Sequence, residues 1–198
     1  MNAYTLALFI HILGAIGTFI GVSVWLFAAM ALRSAHSVGQ VRALTSLIQP
    51  SAVLAIVSIL LLGVAGFYMA ITVWGERATW IIVATISFLL LAPFGVFIID
   101  PRLHALAKAA ATEPDGLLPP SLAARARDPI VGVGLCGYLG TLLGIVFLMT
   151  TKPPLMDSII VIVIATALGL VGGLLLWWGT GVRSRDVAPS PWAPAGRE

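Results

Sequence analysis

The chain has 198 residues, of which 60% are hydrophobic and 10% charged, with a formal charge of +3 and a mean hydropathy of +1.06. Soluble domains are about 25% charged, so this composition excludes an ordinary soluble fold and a disordered chain. One cysteine excludes a disulfide-built module, and the small, scattered positive charge excludes nucleic acid as a partner.

What remains is an integral membrane protein. A helix needs about 20 apolar residues to cross a ~30 Å hydrocarbon core. Five stretches qualify, near residues 4–32, 51–74, 79–99, 130–150 and 156–178. They are apolar on all sides, as helices among lipid and other helices should be, and none shows the alternation of a barrel strand. The predicted fold is therefore an all-α bundle of five transmembrane helices. Residues 1–182 form one bundle, and 183–198 form a tail rich in Pro, Ala and Arg. The first span lacks a basic leader and is too long for a signal peptide.

Along the chain, residues 33–49 form a modest link, in which Val41, Leu44, Thr45 and Ile48 share helical spacing and suggest a short interfacial helix. Pro50, Pro101 and Pro129 stand at span edges, and Pro93 lies inside the third span, where losing the bond to the Leu89 carbonyl predicts a kink. In the loop 100–128, residues Arg102 to Lys108 read as a continuing helix and Thr112 to Pro120 as a turn, the whole lying on anionic headgroups. Asp128 is the expected N-cap of the fourth span, and Asp157 falls in the first turn of the fifth. The second and fourth spans share a faint pattern. Each follows a Pro, carries a Gly six residues before a Thr (Gly66 to Thr72, Gly144 to Thr150), and leads through a short turn into a returning helix.

Orientation follows from the basic residues. With five spans, nine of the 11 Lys and Arg fall on one side: Arg33, Arg42, Arg102, Lys108, Arg125, Arg127, Arg183, Arg185 and Arg197. Only Arg77 and Lys152 fall on the other. The positive-inside rule then puts the N-terminus outside and the C-terminus in the cytoplasm. Trp74 and Trp80 flank the outer turn, and Trp177 and Trp178 mark the inner end of the last span.

No carboxylate, Lys or Arg lies within the core of a span, which argues against a proton-coupled carrier and against paired-carboxylate chemistry. No catalytic set and no metal-binding Cys/His cluster is readable. Cys136 reads as a buried structural thiol. His11 is the exception, an ionisable ring deep in the first span. Gly14, Thr18, Gly21 and Trp25 recur on nearly its face, small enough for a helix or a flat cofactor to approach. Three roles are open to it. It can be a neutral imidazole bonded to Tyr68, Ser87 or Thr141, a ligand to haem or a metal, or a contact to a substrate or quinone. His36 and His104 lie on the opposite side of the membrane and cannot share a haem with it. Gly-rich faces at Gly17/Gly21, Gly63/Gly66, Gly137/Gly140/Gly144 and Gly169/Gly172/Gly173 predict close packing, within the bundle or with a second copy or a larger membrane complex.

The first span, Leu6-Ala7-Leu8-Phe9-Ile10-His11-Ile12-Leu13-Gly14-Ala15-Ile16-Gly17, resembles a family of uncharacterised bacterial integral membrane proteins, with looser similarity at Pro101-Arg102-Leu103. That family looks like a distant relative of the CopD copper-resistance proteins and the HemJ-type protoporphyrinogen oxidases. The resemblance implies a four-helix core with one helix added here, and it makes His11 the position at which haem or porphyrin would bind. This chain departs from the HemJ type in having no Lys within a span, and it lacks the Met and His content of a copper carrier. The expected function is that of a multi-pass protein of the bacterial inner membrane, acting as an accessory subunit or assembly factor among lipids and partner proteins. The alternatives are a haem- or porphyrin-binding redox protein using His11, and a channel or carrier for a neutral solute.

Overall fold

The computed structural model describes residues 2–74 and 78–183, with side chains as far as Trp178. The expected places of Arg77 in the outer turn, and of Arg185 and Arg197 in the tail, lie outside these residues. Among the described residues every regular element is helical, and a lone bridge pairs Ser37 with Leu117. The elements are α1 (Ala3–Arg33), α2 (Val38–Thr45), α3 (Ile48–Met69), α4 (Thr79–Phe94), α5 (Asp100–Thr112), α6 (Pro120–Ala126), α7 (Pro129–Thr151) and α8 (Leu155–Arg183). Five helical runs among them are long and apolar enough to cross a membrane.

The helix ends follow from local chemistry. The Asn2 side chain accepts from the Thr5 amide at 2.8 Å and starts α1. Asp128 accepts from the Ile130 amide at 2.9 Å and starts α7, as its position before Pro129 predicts. Asp157 sits in the first turn of α8. Pro50 falls inside the first turn of α3 rather than before it, where its missing N–H has no helical partner to lose. Pro93 acts differently from a simple break. The chain stays helical past it and widens to a π-turn at Gly95–Ile99, which runs directly into α5. Widening re-spaces the carbonyls next to the lost bond and keeps the backbone satisfied in an apolar setting. A second π-turn, Ala70–Trp74, finishes α3.

Helix α7 is the centre of the bundle. It packs along α8 on one side and is crossed by α1 and α4, while α1 packs along α3. Glycine decides both long seams. On α7, the position a Cβ would take at Gly140 is filled by the Ala165 carbonyl and Gly169 of α8, and that at Gly169 by the Cys136 carbonyl. On α1, a Cβ at Gly14 would stand 2.6 Å from the Leu62 amide nitrogen of α3, and one at Gly21 would stand 2.9 Å from the Ala55 methyl. The hairpin pattern shared by the second and fourth spans does not carry into packing. α7 pairs with its returning helix, whereas α3 turns to α1 and makes no comparable seam with α4.

The link from α1 to α3 and the link from α4 to α7 are not separate surface loops. Leu32, Ala35, Val38, Val41, Leu106, Ala110, Leu122 and Ala126 form one buried cluster that joins α2, α5 and α6 into a cap over the bundle. Arg42 fastens it, donating to the Ala110 carbonyl at 3.0 Å, the Glu113 carbonyl at 2.6 Å and the Asp115 carboxylate at 2.7 Å. The expected interfacial helix is α2, with Val41 and Thr45 buried, and Ile48 belongs to α3. Other cations of this end are also engaged. Arg33 donates to the Leu176 and Trp177 carbonyls at the end of α8 and lies over the Trp177 ring at 3.9 Å, and Arg102 meets Asp128 at 3.2 Å.

Candidate functional site

The glycine seam between α1 and α3 positions His11. Gly14, one turn along, lets the α3 backbone approach, and His11 Nδ1 then reaches the Leu62 carbonyl at 2.9 Å. Gly66, one turn further on α3, makes room for the ring, since a Cβ there would stand 2.9 Å from Cε1 and 3.0 Å from Nδ1. A carbonyl only accepts, so Nδ1 carries the proton and Nε2 is left as a bare acceptor. Nε2 makes no hydrogen bond among the described residues, yet no unpartnered side-chain nitrogen is fully buried, so Nε2 is reachable.

The hydrogen-bond partner differs from the side chains expected. Tyr68 is largely exposed, Ser87 donates to the Val83 carbonyl, and Thr141 donates to the Gly137 carbonyl and meets Thr166 of α8 at 2.8 Å. The backbone of α3 is nearer than any of them because Gly14 brings it there.

His11 stands between two cavities. The inner one, about 160 Å³, lies among α1, α3, α4 and α7, where α3 and α4 leave a gap, and Thr18, Ala84, Phe88 and Leu142 are part of its wall. The outer one, about 360 Å³, is bordered by Tyr4, Met69, Trp74, Trp80 and Lys152. Both share His11, Gly66, Ala70, Ile81 and Met149. Of the residues grouped with His11 by spacing, Thr18 joins it at the inner cavity, its hydroxyl donated to the Gly14 carbonyl. Gly14 and Gly21 are covered by α3 instead, and Trp25 donates to the Ser51 hydroxyl at 2.9 Å.

The inner cavity matches the ~150 Å³ engineered cavities that take up benzene. On its own it has the room of one ring or chain. The Gly14 and Gly21 face against which a flat cofactor would lie is occupied by helix packing. Among the described residues no group of three or more His, Cys, Asp and Glu is assembled. His36 lies in the cap and His104 pairs with Asp100 at the start of α5, both at the opposite end of the bundle.

Sequence reasoning missed three participants. A backbone carbonyl such as that of Leu62 has no sequence signature. Gly66 was visible in a Gly63/Gly66 pair, which reads as helix packing, and in the Gly66 to Thr72 pattern, neither of which points to a ring. Lys152 was visible only as a charge in an outer turn.

A bundle of five apolar helices, with the His11 ring at the junction of two cavities, is the architecture of an integral membrane protein. Over residues 5–153 the chain matches the family described as predicted integral membrane protein (DUF2269), and it belongs to that family. The match takes in α1 to α7 and stops before α8, so four of the five spans lie within it. No curated protein and no solved structure matches the chain.

Proposed function

We propose that this chain is an accessory protein of a bacterial cytoplasmic membrane that holds a small lipophile at His11, in the outer half of the bilayer. One observation carries the reading. The imidazole is fixed through Nδ1 on the Leu62 carbonyl, and Nε2 is left as the free acceptor beside two apolar cavities. A ligand there is a largely apolar ring or chain, and a hydroxyl on it would meet Nε2. The gap between α3 and α4 offers a lateral way in from lipid. The basic residues around the cap support an inside location for it. A cysteine at the exposed Ala111, made in a Cys136→Ser background, should therefore be labelled only after the membrane is permeabilised.

The size of the inner cavity favours a single ring or chain over a macrocycle. Association with a second copy or a larger complex draws support from Gly172, whose Cβ position meets nothing within 4 Å. The test is mild purification followed by an absorption spectrum, solvent extraction and mass spectrometry of wild type and His11→Ala. One lipophile near one per chain in the wild type, lost from a folded His11→Ala, is expected. Identical extracts would overturn the reading. A Soret band lost in His11→Ala would replace the lipophile with haem.

A further inference from the structure

We infer that the outer cavity takes the carboxylate head of a single-chain amphiphile, with Lys152 as its counter-charge and the tail passing His11 into the inner cavity. This rests on the reading of the His11 cavities as a ligand site.

Among the described residues, Lys152 is the one Lys or Arg bordering either cavity, and no carboxylate borders them. Its ammonium is held at the mouth, 4.2 Å from the centre of the Trp74 ring. The backbone at Lys152 is left-handed, with φ 51°, where it caps the C-terminus of α7. Glycine is the usual residue at such a cap, and a side chain there has a conformational cost. A long cation is present in spite of that cost. The first turns of α1 and α4 reach the same cavity through Tyr4 and Trp80, and the positive ends of these two helix dipoles favour an anion. The ends of α3 and α7 arrive with the opposite polarity, so the Lys152 charge tips the balance.

The size of the inner cavity limits the tail to one chain. Tyr4 and His11 are seven residues apart on α1, about 10 Å at the helical rise. An amphiphile with its head at the mouth therefore brings mid-chain atoms past Nε2.

The experiment uses the full chain in phosphatidylcholine nanodiscs, with cis-parinarate, whose fluorophore is its own single conjugated chain, as the probe. Octadecanoate and its methyl ester compete for the probe on wild type, Lys152→Gln, Lys152→Glu and Thr85→Trp, the last filling the inner cavity from the exposed side of α4. The carboxylate should compete about fivefold better than the ester on wild type, the scale of one exposed ion pair. That advantage should vanish in Lys152→Gln and reverse in Lys152→Glu, with the ester unchanged in both. Equal competition by acid and ester on wild type would overturn the head-group assignment while leaving the cavity reading intact, provided Thr85→Trp abolishes binding. An acid advantage that survives in Lys152→Glu would overturn it as well. No saturable probe binding to the wild type would overturn the cavity reading and this proposal with it.

Discussion

The two hairpins, α3 with α4 and α7 with α8, look alike in sequence and pack in opposite ways. In α7/α8 the small residues face each other. Gly137, Gly140 and Gly144 meet Leu170, Ala165 and Gly169, and Gly173 meets Cys136 and Val133. In α3/α4 they do not. Gly63 faces open space, Gly66 is covered by the His11 ring, and α4 contains no glycine. The small face of α3, at Ser58, Ala55 and the Leu62 backbone, is given to α1 instead. In a bilayer, where apolar surface alone does not drive helices together, close approach at small residues decides which pairs form. The unsealed hairpin is where the cavity beside His11 lies.

The largest expected effect tests that contrast directly. Gly140→Leu would drive a side chain into the Ala165 carbonyl and Gly169, which are backbone and cannot turn aside. Overpacking of this kind costs about 3 kcal/mol. Thermal unfolding in detergent should show a large drop or no folded protein, while Gly63→Leu should match wild type. Equal behaviour of the two variants would mean that glycine contact is not what separates the hairpins.

Next is the cap, which holds the ends that α3 and α4 leave apart. α5 continues from α4, α2 precedes α3, and Arg42 of α2 binds the end of α5. Arg42→Ala removes two bonds to carbonyls and an exposed ion pair. Charge-assisted bonds are stronger than neutral ones, but this site is partly solvated, so about 2 kcal/mol is expected. Arg42→Lys should rescue little, because one ammonium cannot reproduce the forked guanidinium contacts. Faster hydrogen exchange confined to α2 and α5 would be the signature, and an unchanged exchange pattern would count against the cap as a clasp.

Much of this architecture was legible. The five spans, the Asp128 cap and the helical continuation after Asp100 follow from apolar length, capping chemistry and spacing. Partner choice was not legible, because Gly63 and Gly144 carry the same local signal and only the facing helix separates them. The site was half legible. A lone histidine in an apolar span stands out, but its anchor is a backbone carbonyl delivered by Gly14, and the cap core joins segments about 70 residues apart in the chain, as in Arg42 with Ala110.

Gly66→Ala sharpens the other side of the comparison. In α3 this glycine accommodates a ring rather than a helix. The added methyl would stand 2.9 Å from His11 Cε1, so the ring must move and weaken its bond to Leu62. About 1 kcal/mol of stability is expected to go with that bond. The histidine ring resonances in a labelled sample should shift, with loss of bound lipophile out of proportion to the loss of stability. Unshifted resonances would show that Gly66 does not set the ring's position.

The smallest effect belongs to the polar contact across the tight hairpin. Thr141 already donates its proton to the Gly137 carbonyl, so Thr166 must be the donor in the 2.8 Å bond between α7 and α8. Thr141→Val removes the acceptor but leaves Thr166 free to turn to a carbonyl of its own helix, four residues back. Interhelical bonds in membranes average about 0.6 kcal/mol for this reason, and a change of that order is expected in reversible unfolding. A loss several times larger would make the hydroxyl pair, rather than the glycines, the element that closes α7 onto α8. The contrast with α3/α4 would then lie in where each hairpin places its threonines, a different rule from close backbone contact.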